Sequence, residues 1–249
     1  MKLLQLVTFC SVFLLCACST VSDPISKYNG MSAEAIYQQA QVNLQKRRFS
    51  RAVNALEALD AQYPFNKYAE KAQLQAIYAY YKNDDTASTA AAAERFIHLY
   101  PQSDSVAYAY YMKGLANFSP SQSFVQRYFS RDSSHNDNTM QQQAYRDFFT
   151  VVYRFPDSPY AADARQRMVF LRNQFAEHEL HIARYYLKRE AYVAAANRAS
   201  DIVLHYQQAP QTEEALSIMA RSYAKLGLDK RADNARKILL KNFPHSRFA

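Results

Sequence analysis

Tyr100-Pro-Gln-Ser-Asp-Ser-Val-Ala-Tyr-Ala-Tyr-Tyr-Met-Lys-Gly-Leu-Ala-Asn-Phe118 is the stretch on which the reading of the chain turns. Pro101 closes one apolar periodic segment, and thirteen residues later Gly114 sits inside the next. A proline cannot continue a helix, and a glycine in a helix interior costs about 1 kcal/mol against alanine. A glycine kept at that cost signals a neighbouring backbone or ring too close for a side chain. The same offset separates Pro64 from Ile77 and Gln207 from Ala220, and a stretched version separates Pro156 from Ala183. The mark is therefore one of a series.

Counting back twelve residues from each terminal mark gives Ala52, Thr89, Ala144, Ala195 and Ala232. Eight back gives Leu56, Ala93, Phe148, Ala199 and Arg236, and a further twelve before the first set gives Ala40, Ile77, Ala183 and Ala220. Gly114 fills that place in the third unit, displaced by eighteen extra residues. Small residues alternating with a larger apolar slot, closed by proline, is the pattern of tetratricopeptide helix pairs of about 34 residues. One such pair cannot bury its own apolar face, so pairs must stack. The expected fold is all-α, a tetratricopeptide superhelix of five helix pairs, about ten helices, with no sheet. Fourteen extra residues between Pro156 and Ala183, with neither Gly nor Pro in 160–195, predict a long helix running into the fourth pair and a turn near Arg189-Glu190.

The chain begins with Met1-Lys2 and an apolar run, Leu3–Ala17, too short to span a bilayer and shaped like a secretory signal. Residues 1–17 are accordingly read as a lipoprotein signal peptide. Leu15-Cys-Ala-Cys18-Ser19 resembles a bacterial lipobox, with Cys18 as the acylated residue. Cys16 in that role would place bulky Leu15 beside the cut. Several acyl chains, each CH₂ contributing about 0.8 kcal/mol, anchor a protein stably. Ser19 after the cysteine suggests, by resemblance to bacterial sorting rules, delivery to the outer membrane. With Cys10 and Cys16 removed and Cys18 lipidated, no thiol is left for a disulfide or a thiolate metal site. Residues 18–31 form a lipid-anchored tether reaching roughly 40 Å when extended, and 32–249 the repeat domain, interrupted by an insertion at about 118–138. Ser32 is the expected cap of the first helix.

The formal charge is +8. An exported chain rarely meets nucleic acid, so acidic faces of other proteins are the expected counterpart rather than DNA or RNA. Three glycines in the whole chain exclude a Gly-rich phosphate loop. His178-Glu-Leu-His181 lacks the H-E-x-x-H spacing of a zinc protease, and there is no G-x-S-x-G elbow. No catalytic residues, cofactor or metal are expected. Lys46-Arg47-Arg48 and Arg51 read as a solvated corner at a helix turn.

Several runs carry a resemblance more specific than the repeat: Tyr63-Pro-Phe65, Tyr68, Gln73-Leu74, Ala107–Leu115, Arg154–Ser158, Asp163–Met168 and Ala191–Ala199. Together with the lipobox, the insertion and the elongated fourth unit, they make the chain similar to the BamD family of lipoproteins. What the resemblance implies is a non-enzymatic scaffold of the β-barrel assembly machinery, on the periplasmic face of the outer membrane. Implied partners are the POTRA region of BamA, other lipoproteins such as BamE, and unfolded outer-membrane proteins recognised by a C-terminal strand signal. Asn197-Arg198 matches the family pattern, and docking to BamA is implied there. In repeat arrays the ligand faces the first helix of each pair. That mapping gives an aromatic groove of Tyr37, Tyr78, Tyr81, Tyr108 and Tyr111, with Tyr63 beside it and Leu115 and Phe118 at its end. A second function class, an outer-membrane repeat lipoprotein acting on the cell wall or division envelope, fits the same repeat.

Overall fold

The computed structural model describes residues 24–118 and 138–248. Among them are ten α-helices and no strand. They are α1 Ala33–Gln45, α2 Phe49–Gln62, α3 Ala69–Lys82, α4 Thr86–Leu99, α5 Val106–Asn117, α6 Thr139–Arg154, α7 Ala161–Lys188, α8 Tyr192–His205, α9 Thr212–Lys225 and α10 Asp229–Asn242. The leader, Cys18 and all but the ends of the insertion lie outside the described residues.

The helices fall into two compact units, divided between Met112 and Lys113 within α5. In the first, α1 packs on α2, α2 on α3 and α3 on α4. In the second, α6 packs on α7, α7 on α8, α8 on α9 and α9 on α10, and α7 also touches α9. Every alanine-type slot read from the sequence is buried: Ala40, Ala52, Ile77, Thr89, Ala144, Ala183, Ala195, Ala220 and Ala232. Thr89 fits among alanines because its hydroxyl donates to the Asp85 carbonyl one turn back, at 2.7 Å, so that hydroxyl is met inside the core. Leu56, Ala93, Phe148 and Ala199 fill the larger slot. Arg236 in the same slot of the last pair is exposed and pairs with Asp233; among the described residues no further helix covers it.

Two kinds of turn alternate. Between pairs, an aromatic residue ends each second helix: Tyr63, Tyr100, Phe155, Tyr206 and Phe243 cap α2, α4, α6, α8 and α10. Each N–H still bonds four residues back, while the next residue is Pro in all but the Tyr206 turn. The proline forbids another helical turn. Within pairs, the second residue after the helix adopts the left-handed conformation: Arg47, Asp84, Glu190 and Gly227, at φ between 52° and 71°. The next N–H then reaches back across the final turn, from Arg48 to the Asn43 carbonyl at 2.8 Å and from Leu228 to that of Tyr223 at 2.9 Å, which satisfies carbonyls the helix leaves bare. Only the last of these turns uses glycine. Ser32 caps α1 as expected, accepting from the Ala35 N–H at 3.2 Å. The long helix is α7, and its turn lies at Arg189-Glu190.

Side chains tie neighbouring pairs at about one repeat length. Gln41 and Gln75 exchange two hydrogen bonds of 2.7 and 3.0 Å, and Gln211 donates to Glu177 at 3.0 Å.

Candidate partner-binding surfaces

The tyrosines of the expected groove have different fates. Tyr37, on α1, is 6% exposed and stacks face to face on Tyr68, ring centres 4.3 Å apart. Tyr63 ends α2 and donates its hydroxyl to the Met31 carbonyl at 2.8 Å, fastening the segment before α1. Both rings build the first core. Tyr78 is 44% exposed, its ring edge-on to Phe49 of α2 at 6.0 Å. Tyr81, one turn further along α3, and Tyr108 and Tyr111 on α5 are half-buried. Phe118 is buried in the second unit, against Phe148 and Phe170 at 5.8 and 5.6 Å, with the Arg167 guanidinium over its ring.

Beneath the α2, α3 and α4 helices lies a cavity of about 80 Å³ lined by Leu59, Ala72, Ala76, Glu57, Asp60 and Tyr80. Its polar groups are already engaged. Tyr80 donates to Glu57, and Arg95 meets Asp60 at 2.7 Å. Burial, then the bond to Glu57, pushes the Tyr80 hydroxyl well above its ordinary value.

On the other unit, Asn197 is exposed on α8, whereas the Arg198 guanidinium is held by Glu179 of α7 at 3.0 Å. Arg184 is spent in the same way: two nitrogens meet the two Glu214 oxygens at 2.7 and 2.6 Å, and a third contact reaches Glu177 at 3.0 Å. Arg184 and Arg198 are thus internal wiring between α7, α8 and α9. What α8 does present to solvent is a stripe that charge counting misses. Val193, Asn197, Ser200 and Leu204 follow the 4-3-4 spacing of one helix face, with Val193 59% and Leu204 63% exposed. The spacing was the only signal available for it.

The fork-to-fork contact of Arg184 holds the Glu214 carboxyl below the usual carboxylate range. A carboxylate with a depressed folded-state pKa stabilises the fold above its unfolded value and loses that contribution as pH falls through the folded one. Arg184→Met is therefore expected to cost about 1 kcal/mol at neutral pH, the pair being partly exposed. Below about pH 4 the difference from the natural chain should shrink towards zero in denaturant titrations.

No helix among the described residues is long and apolar enough to cross a membrane. The family model YfiO, described as an outer membrane lipoprotein, matches residues 29–239. The chain belongs to the YfiO family. Three relatives, each named outer membrane protein assembly factor BamD, span both of its units. That of Neisseria meningitidis serogroup A is 43% identical over 217 residues, 87% of this chain and 81% of its own length. That of Neisseria gonorrhoeae is 40% identical over 248 residues, 99% and 93% of the two chains. That of Vibrio cholerae serotype O1 is 36% identical over 242 residues, 97% and 99%. Membership of the YfiO family associates the chain with the outer membrane.

Proposed function

We propose that this YfiO-family chain is a non-enzymatic scaffold of outer-membrane β-barrel assembly, lipid-anchored through Cys18 and exposed to the periplasm. One observation carries the reading: relatives named as assembly factors align with essentially all of the chain, that of Vibrio cholerae over 97% of it and 99% of its own length. The repeat itself is then the working part. In this reading the α8 face around Asn197 and Arg198 docks the POTRA region of BamA, and smaller lipoproteins such as BamE bind elsewhere. Tyr78, with Tyr81, Tyr108 and Tyr111, receives the extended C-terminal signal of unfolded outer-membrane proteins. Partly exposed tyrosine rings suit such a role, since they supply contact area at little entropic cost.

Co-purification from detergent-solubilised envelopes tests the scaffold, and a charge exchange tests the docking face. Arg198→Glu should reduce recovery of BamA about tenfold, but it also breaks the bridge to Glu179. The double exchange Arg198→Glu with Glu179→Arg restores the bridge within the chain. Recovery that stays low in the double exchange supports docking at Arg198; recovery that returns assigns Arg198 to folding alone. In the same preparations, Tyr78→Ala with Tyr111→Ala should keep BamA and lose bound unfolded substrate. If BamA never co-purifies with the natural chain, the scaffold reading fails.

A further inference from the structure

Lys46-Arg47-Arg48 makes an expensive turn. Arg47 sits at φ 52°, where the L-residue penalty is about 1 kcal/mol and glycine is the ordinary solution. The equivalent turns use Asn83-Asp84-Asp85, Arg189-Glu190-Ala191 and Leu226-Gly227-Leu228. Turn geometry therefore does not demand cations, and of these three Arg48 is the one that lines a cavity. The structure places this turn at the rim of an open cavity of about 320 Å³, lined by Lys27, Tyr28, Asn43, Arg48 and Arg51, among others, and by no carboxylate of the described residues. Tyr28 is 2% exposed, and its buried hydroxyl has no hydrogen-bond partner among the described residues. Asn43 is likewise buried, at 4%. A buried unpaired hydroxyl costs about 1–3 kcal/mol, and native structures rarely leave one without an occupant to meet it. Among the described residues, neither Arg48 nor Arg51 forms a salt bridge. Elsewhere Arg95, Arg167, Arg184 and Arg198 do.

We propose that this cavity is a binding site for a phosphate group. Arg48, Arg51 and Lys27 supply its charge, and the Tyr28 hydroxyl and Asn43 amide supply neutral hydrogen bonds. Guanidinium forks match phosphate oxygens in pairs. The source that fits is the headgroup of an anionic phospholipid. Lys27 is nine residues beyond Cys18, a span of roughly 30 Å at full extension, so an acyl anchor there keeps the cavity near the bilayer surface. This choice of source, though not the cavity itself, rests on the anchor proposed above. A free phosphate in solution has the same chemistry and is the other source.

The test uses the exported mature chain carrying Cys18→Ser, which has no acyl chain, so a failure of the anchor and a failure of the cavity are read separately. It is floated with phosphatidylcholine vesicles, with and without phosphatidylglycerol, and titrated with inorganic phosphate while the Tyr28 resonances are followed. Joint replacement of Lys27, Arg48 and Arg51 by alanine should weaken binding to phosphatidylglycerol vesicles about a hundredfold. Tyr28→Phe removes only the hydroxyl and should weaken it several-fold, which covers the case where the triple variant folds poorly. Alanines at Arg231, Arg236 and Lys237, an equal loss of charge elsewhere, should leave it unchanged. Vesicle binding with this pattern assigns the phosphate to lipid. Response to inorganic phosphate alone, with the same dependence on Tyr28 and Arg48, assigns it to a soluble ligand. Binding to neither, or equal weakening by the distant triple, overturns the site.

Discussion

Gly114→Leu is expected to lower the unfolding free energy by about 3 kcal/mol, a large share of the stability of a typical domain. On helix propensity alone, replacing glycine should stabilise α5 by about 1 kcal/mol. Sterics reverse the sign. A Cβ on Gly114 would lie 2.6 Å from Cε1 and 2.8 Å from Cδ1 of Phe148, a ring that is fully buried. That ring cannot swing away, because Phe118 packs edge-on against it at 5.8 Å. Overpacking of this kind typically costs 1–3 kcal/mol, and leucine adds three further carbons to the collision. Gly114→Ala should lose a smaller amount, the gain in propensity offsetting part of the clash. Guanidinium titrations followed by circular dichroism measure both. Combining Gly114→Ala with Phe148→Leu makes room for the new methyl, so the two changes together should cost less than their sum by about 1 kcal/mol. An alanine variant more stable than the natural chain would show that the close approach of α5 and α6 is not what keeps this glycine.

Lys113→Met should cost about 3–5 kcal/mol, the usual penalty for breaking a buried ion pair by removing one partner. Lys113 precedes Gly114 and Asp147 precedes Phe148, so charge and ring form one clasp between α5 and α6. The ammonium lies 3.3 Å from the Asp147 carboxylate, with side-chain exposures of 15% and 4%. Gln143 donates to the same carboxylate oxygen at 3.0 Å. Methionine removes that cation from the buried carboxylate, and the neutral Gln143 amide brings no charge to replace it. Replacing Asp147 by Asn in the same chain removes the stranded charge, and most of the loss should return. If Lys113→Met alone costs no more than an exposed lysine would, the pair contributes nothing to holding the two helices together.

The repeat was legible because each of its marks acts locally. A small residue in a helix, a larger apolar one a turn later and a proline after an aromatic cap dictate where helices start, stop and touch, and the slots from Ala40 to Ala232 are buried as read. The left-handed turns at Arg47, Asp84 and Glu190 were not legible, because reach-back hydrogen bonds from the following residues hold a conformation these side chains do not favour. The candidate surfaces were less readable still. Tyr37 and Tyr78 both lie on first helices and read as one groove, yet one stacks on Tyr68 in the core and the other meets solvent. Tyr37 precedes its small slot, Ala40, by three residues, whereas Tyr78 follows its own, Ile77, by one, so the two rings leave their helices on different faces.

The sequence by itself determined that this chain is a run of helix pairs, and where each pair breaks. The tertiary structure alone decided which charges are spent inside it: Arg198 on Glu179, nineteen residues away, and Arg184 on Glu214, thirty away. The physical reason is range. Helix signals act over a few bonds or one turn, whereas an ion pair depends on where two separate helices are set down, and that follows only from packing.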